Sequence, residues 1–567
     1  MFRQAVRQST ALFARRVSTG SSSSFSRASG FCKSTTVLAA VGLASAATLA
    51  LSSSFLANSN QGLFAEETQV AEEEQANEAV ETTSSSPQGS AESTSNSEAA
   101  SKGSASEAAE VALESEYPYV IVGMGTAGYA AAKAILSRDP EAKILMIGDE
   151  GYSPYMRPPL SKELWTTGAA DVAETLSFVD WQGRRTHVFY DPFHANHSVR
   201  MLKGHKVISM DVGEHELQLD DGRKVKYHRC VIATGGTPRT LPVVPESIKQ
   251  HVSTYRTVDD FRTLDAVTRR GGRIVVVGGS FLGTEVAYAI ASTKSERQGT
   301  SVVSVYPEPG VLARILPRYL SDFATSILGR AGVELYPNRI VTRVEEAPYS
   351  HATEDNSNGS SGKRVRVHLD NNQVIDADHV LVATGILPNT SIFADAGLEI
   401  DPKNGGITCN AELEARTDVF VAGDVASFYS PVLGRRRVEH YDHAESSGWT
   451  AGLNAAGARK VYNAQPFFWS SLGETAGIEA VGELDSNLDT IAFWDKVGID
   501  AQGAPWYFNS PPAVPKDYGK GVVYYMKNKR VVGVLLFNTH GKIQDARRAI
   551  ASKKQYSQEE LKNLIQV

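Results

Sequence analysis

Two stretches of the chain, YPYVIVGMGTAG (residues 117–128) and RIVVVGGSFLGTEVAYAI (273–290), follow one grammar. Each is an apolar run of strand length, then a glycine-rich turn, then residues that suit a helix. In the first, Gly123, Gly125 and Gly128 stand in G-x-G-x-x-G spacing. Gly123 permits a tight turn, Gly125 lets a pyrophosphate approach the backbone, and Gly128 lets helix and strand pack closely. The phosphate then sits at the helix N-terminus. A second strand, AKILMIGDE, ends at Asp149 and Glu150, where an acid can hold ribose hydroxyls. The second unit keeps Gly278 and Gly283 but has Ser280 in the middle position, and its following strand, TSVVSVYPE, ends at Glu308. No arginine immediately follows Glu308, which favours a free ribose 2′-hydroxyl and hence NAD over NADP; the nearby Arg314 weighs against that.

Two more apolar runs end in Ala-Thr-Gly, RCVIATGGTPR (229–239) and HVLVATGILPN (379–389), and a third, TDVFVAGDVA (417–426), ends with Asp424 after Gly423. Each reads as a strand whose turn lies beside a bound dinucleotide. The chain has three cysteines, Cys32, Cys230 and Cys409, far apart and without a CxxC or CxxxxC pair. This excludes both a disulfide framework and a redox dithiol.

The net charge of −7 is unevenly spread. Residues 1–65 carry six Arg/Lys and no acid, residues 66–116 carry thirteen Glu against one Lys, and the remainder is nearly neutral. Bulk charge therefore gives no support for nucleic-acid binding. Residues 1–34, rich in Arg and Ser, read as a mitochondrial presequence. Residues 35–57 carry no charge and are long enough to span a bilayer; the alternative is one long cleavable leader. Basic residues before that segment and acids after it place the body across the membrane from the matrix. Residues 58–116 cannot bury enough apolar surface to offset chain entropy, and read as a disordered acidic tether.

The two glycine units, the two Ala-Thr-Gly turns and the Gly-Asp turn together resemble the two-dinucleotide-binding flavoprotein superfamily over about residues 117–440. Its dithiol members place a cysteine pair after the first acidic strand end, where this chain has PYMRPPLSKELW (154–165). That segment, with CVIATGGTPR, GGSFLGTE, AGDVASFYSPVLGRRRVEHYDHA, FFWSSLG and the C-terminal DYGKGVVYYM, is similar to the mitochondrial apoptosis-inducing factor family.

The resemblance implies an α/β fold of two Rossmann-like dinucleotide-binding domains, arranged as in glutathione reductase, plus an α+β C-terminal domain. The expected boundaries are 117–240 and 387–466 for the two parts of the FAD domain, 241–386 for the NAD domain and 467–567 for the C-terminal domain. The implied cofactors are FAD and NADH. Asp149, with Glu150 beside it, would bind the FAD ribose, and Arg157, Lys162, Arg256 and Asp424 would contact FAD. Lys162 would pair with Glu285. Phe281, Glu308, Arg314 and Glu479 match the nicotinamide dinucleotide side, and His440 and Trp469 line the site by flavin and nicotinamide. Lys162, Glu285, His440, Trp469 and Phe281 form the implied catalytic set. Read without the resemblance, Arg157 and Lys162 also fit solvated residues at a helix start, and Trp469 a core aromatic.

The implied function is FAD-dependent NADH oxidation in the intermembrane space, at the inner membrane, with roles in respiratory-chain maintenance and programmed cell death, including nuclear relocation. Implied partners are an intermembrane-space import factor and a second copy in a redox-dependent homodimer; the electron acceptor stays unidentified. Two other readings stand: a redox-sensing interaction protein with slow NADH oxidation, and an NADH reductase of a ferredoxin, a rubredoxin or monodehydroascorbate. The chain departs from the family in two places. His440–Tyr441 replaces a pair of histidines, and the segment between Val481 and Tyr518 is short, which puts loop-dependent dimerisation in doubt.

Overall fold

The structure, a computed structural model, describes residues 113–180, 182–195, 197–242, 244–293, 297–347, 364–495 and 518–567. The expected presequence, the 35–57 span and nearly all of the tether lie outside these residues, as do residues 496–517 of the shortened segment. Among the described residues no helix is long and apolar enough to cross a membrane.

The first glycine unit builds the centre of a sheet. Strand Glu116–Val122 lies between Ile144–Gly148 and Lys224–Ile232, and the parallel core extends to Val199–Lys203 on one side and Val419–Val421 on the other. Ile144–Gly148, Val419–Val421 and the last residues of the two strands between them read as continuous apolar runs because both faces are covered there. Helix Thr126–Arg138 covers one face together with Tyr441–Ala455. The two helices meet at backbone distance. A Cβ on Gly448 would lie 2.2 Å from the Ala127 carbonyl oxygen, and one on Gly452 would lie 2.3 Å from that of Ala131. Small residues one turn apart thus fix the position of the later helix and of His440, the residue immediately before its first turn.

The second glycine unit builds a five-stranded parallel sheet in the order Val252–Thr254, His379–Val382, Gly272–Val277, Thr300–Tyr306, Glu334–Pro337. Its sequence lies between strands of the first sheet, so the chain leaves the first sheet after Ile232 and returns to it at Glu414, rejoining the parallel core at Val419. The two passages cross as an antiparallel pair, Gly236–Pro238 against Ile386–Pro388, each directly after an Ala-Thr-Gly turn.

The C-terminal region forms a five-stranded antiparallel sheet in the order Phe467–Leu472, Ala476–Gly482, Arg530–Phe537, Gly521–Lys527, Asp489–Trp494. Strand alternation divides its side chains. Leu472, Ile478, Ala480, Val523, Tyr525, Leu535 and Phe537 join the core of the second unit, including helices Phe281–Ser292 and Arg318–Ala331. Val481, Val522, Tyr524, Val534 and Leu536 pack instead under helices Ile543–Ala551 and Gln558–Leu564.

Candidate functional site

The glycine turns have the geometry their spacing predicts. Gly123 has φ +114°, and a Cβ there would lie 2.2 Å from the Ala233 carbonyl oxygen; Gly278 has φ +125°, with the Ala383 carbonyl oxygen 2.3 Å away. Each glycine turn is therefore pressed against an Ala-Thr-Gly turn, in both units alike. A Cβ on Gly128 would collide with the Gly123 carbonyl oxygen, and one on Gly283 with that of Gly278. Gly125, by contrast, faces open space at the start of helix Thr126–Arg138. In the second unit Ser280 stands there, with its hydroxyl donating to the Ala383 carbonyl at 3.3 Å.

At the end of Ile144–Gly148, Asp149 is exposed and Glu150 is half-buried. Arg157 donates to Glu150 at 2.6 Å, to the Tyr155 hydroxyl at 2.8 Å and to the Arg256 carbonyl at 2.9 Å. Tyr155 donates in turn to the second Glu150 oxygen at 2.5 Å. Arg157 is thus a fixed side chain and not a solvated helix-start residue. Arg256 pairs with Asp424 at 3.0 Å, which joins the second-unit entry to the Gly-Asp turn.

Lys162 and Glu285, 123 residues apart, form a salt bridge of 2.7 Å with side chains 12 % and 5 % exposed. The prolines explain the approach. Pro158–Ser161 forms a single turn of 3₁₀ helix that sets Ser161 and Lys162 against helix Phe281–Ser292. Ser161 also donates to Glu285 at 2.7 Å, and Ser470 donates to its other oxygen at 2.6 Å. Neither serine is apparent from the sequence; their hydroxyls carry no pattern of their own.

On the same face of Phe467–Leu472 as Ser470, Phe468 meets Phe281 at 4.9 Å and His440 at 4.8 Å between ring centroids. The structure thus brings Lys162, Glu285, Phe281 and His440 around one strand. Trp469 projects from the opposite face of that strand, against Tyr441 at 5.7 Å. Tyr441, the departure from a histidine pair, bonds Tyr190, which bonds Thr126 in the first turn of helix Thr126–Arg138. Glu479 stands opposite Trp469 in register and pairs with His540 at 2.8 Å. Its carboxylate is not tied to Phe281 or Glu308. Glu308 pairs with Arg314 at 2.5 Å, and Arg314 is 80 % exposed.

Burial, with a smaller contribution from neighbouring His443 and Arg436, pushes the His440 imidazole down to about 3, so it is neutral at pH 7. Its Nδ1 is sealed from solvent and has no hydrogen-bond partner. Such an orphan is costly in a finished protein interior. Together with the open face of Gly125 it fits a polar, phosphate-bearing cofactor in the first unit, and FAD offers both features.

A family model described as pyridine nucleotide-disulphide oxidoreductase matches residues 117–448. A second, apoptosis-inducing factor, mitochondrion-associated, C-term, matches residues 451–505 and 507–552. Apoptosis-inducing factor 1, mitochondrial, of Dictyostelium discoideum is 41% identical over 446 residues, 77% of this chain and 79% of that one. The chain belongs to the apoptosis-inducing factor family. A putative member from Drosophila melanogaster is 36% identical over 489 residues, 78% of this chain and 64% of that one, so this chain spans just under two thirds of that relative. The crystal structure of a ferredoxin reductase from Rhodopseudomonas palustris shares the fold, with a TM-score of 0.62 and 24% identity over 79% of this chain and 96% of that one. As a member of the apoptosis-inducing factor family, the chain is an FAD-dependent NADH oxidoreductase. Among the described residues, Cys230 and Cys409 are both free and buried, and burial pushes the Cys409 thiol up to about 12.

Proposed function

We propose that this oxidoreductase accepts hydride from NADH on FAD in the first unit and hands the electrons to a non-thiol acceptor. The observation that carries the reading is the Lys162–Glu285 pair, buried between the proline turn, the second-unit helix and the C-terminal sheet. Bound FAD supplies a ring that accepts hydride and stores electrons. The chain's own residues do the rest. The turn from Gly123 to Gly128 and the N-terminus of the following helix bind the pyrophosphate, and Asp149 and Glu150 hold the ribose. Arg157, Arg256 and Asp424 fix the cofactor's polar groups. Lys162, held by Glu285, presents a cationic donor where charge develops on reduction. His440 contributes a neutral imidazole and Phe468 walls the same site, while Trp469 packs on the far side of the strand toward the first-unit helix. Gly278, Gly283 and Glu308 bind the NADH dinucleotide, with Arg314 and Glu479 on the same side, and Phe281 screens the nicotinamide from water.

We further propose that the protein works in mitochondria, attached to the inner membrane by residues 35–57 and facing the intermembrane space, with roles in respiratory-chain maintenance and programmed cell death. The arginine-rich leader and its mitochondrial relatives support this reading. Stopped-flow reduction of the purified protein by NADH, followed by reoxidation with candidate acceptors, tests the enzyme. Fast reoxidation by one acceptor supports turnover, whereas a long-lived reduced complex points to a redox sensor. Digestion of the tether by protease in mitochondria with a ruptured outer membrane tests the topology; protection there places the body in the matrix.

A further inference from the structure

The Glu285 carboxylate accepts from three side chains that belong to two other parts of the chain. Lys162 and Ser161 share Oε2, each at 2.7 Å, and Ser470 alone serves Oε1 at 2.6 Å. Glu285, Ser161 and Ser470 are all buried, at 5 %, 6 % and 4 % exposure. Ser470 comes from the edge strand of the C-terminal sheet, which also meets the second unit through an apolar face and through the Tyr525 hydroxyl on the Ile315 carbonyl.

An ammonium has three donors and no acceptor. Lys162 spends one on Glu285 and makes a long 3.3 Å contact with Ser161, which leaves a donor from which FAD in the first unit would accept. A buried carboxylate oxygen without a donor is costly. Deprived of Ser470, Glu285 Oε1 recovers a partner most readily from the spare donor of Lys162, the cation already in contact. The lysine is then drawn onto the glutamate and away from the flavin. The serines decide how Lys162 distributes its protons.

We propose that Ser470, assisted by Ser161, is a positioning residue for the flavin: by saturating Glu285 it frees Lys162 to face the cofactor, and it makes the C-terminal sheet part of the device that sets the flavin's reduction potential. This rests on the assignment of FAD to the first unit and goes beyond it, since that assignment alone gives the C-terminal sheet no electronic role. A cationic donor favours the reduced, more anionic flavin, so weakening its approach makes the potential more negative.

The experiment uses the full chain with its FAD and compares wild type, Ser470→Ala, Lys162→Met and the double variant. FAD content and visible spectrum are recorded first, then the flavin midpoint potential by dye equilibration and the rate of reduction by NADH. A wild-type protein without FAD sinks the cofactor assignment itself. With FAD present, the expected result for Ser470→Ala is a more negative potential, shifted less than in Lys162→Met, and flavin reduction slowed about tenfold, the scale of one charge-assisted hydrogen bond. In the Lys162→Met background Ser470→Ala should shift the potential no further. A potential equal to wild type, or the same shift with and without Lys162, overturns the proposal even if the melting temperature falls, because loosened packing does not depend on the lysine. Should Ser470→Ala fail to fold, Ser470→Cys, close in shape but only a weak donor, is read by the same two criteria and decides the question.

Discussion

Replacing Lys162 by Met should destabilise the protein by about 3 kcal/mol, and the Glu285→Gln background should remove most of that loss. The pair is 2.7 Å apart with both side chains almost wholly buried. Breaking a buried ion pair from one side costs about 3–5 kcal/mol, because the remaining charge is stranded. Glu285 keeps two serine donors when Lys162 is lost, which places the cost at the lower end of that range. Glu285→Gln leaves the slightly more exposed ammonium and should cost about 2 kcal/mol on the same reasoning. The double variant strands no charge, and should lose about 3 kcal/mol and not the sum, a coupling of about 2 kcal/mol. Urea unfolding of the FAD-saturated protein, followed by tryptophan fluorescence, gives the three differences from shifts in midpoint at constant m. If each single variant costs less than about 1 kcal/mol and the two simply add, the pair behaves like an exposed surface bridge. The buried geometry on which the site rests is then wrong.

Glu308→Ala should raise the efficiency of NADPH relative to NADH, because a carboxylate at the adenosine ribose repels a 2′-phosphate; the ratio of kcat/KM values checks this, and equal use of both coenzymes by wild type would show that Arg314 already offsets the acid. Stability should fall between pH 7 and pH 5. Burial holds His440 and His443 down to about 3 and His379 to about 4, so their contribution is whole above the unfolded value near 6.5 and is lost as pH drops toward the folded values. The slope reaches about 1.4 kcal/mol per pH unit for each fully shifted histidine. Carboxyls that burial raises, among them Glu163 and Glu439, act in the opposite direction between their raised folded values and the unfolded value of about 4.3, and melting temperatures at pH 7.5, 6.5 and 5.5 check the sign. Cys230 and Cys409 should ignore Ellman's reagent in the native protein and react after unfolding; reaction of either in the native state would contradict their burial.

What the sequence discloses and what it conceals follow from how local the chemistry is. The glycine turns were legible because each requirement falls on the backbone of the residue itself: Gly123 and Gly278 both need positive φ and a missing side chain. The Lys162–Glu285 pair came through resemblance, since nothing local connects residues 123 positions apart. Helix Tyr441–Ala455 shows no apolar stripe because it packs through Gly448 and Gly452 onto the alanines of another helix; contact at backbone distance calls for small residues, not large apolar ones.

Strand Phe467–Leu472 shows the harder limit. Phe467, Phe468 and Trp469 are successive aromatics, so both faces of the strand are apolar and alternation cannot say which faces the site. Resemblance named Trp469, while the residue that touches both Phe281 and His440 is its neighbour Phe468, on the face that also carries Ser470 to Glu285. Trp469 turns the other way, to Tyr441, whose hydroxyl runs through Tyr190 to Thr126 at the head of the first dinucleotide helix. One strand thus serves two ends of the candidate site, the ion pair on one face and the start of helix Thr126–Arg138 on the other. A one-residue slip in its pairing would exchange Phe468 for Trp469 and withdraw Ser470 from Glu285 together, so the register of this edge strand is as much a part of the site as any charged side chain.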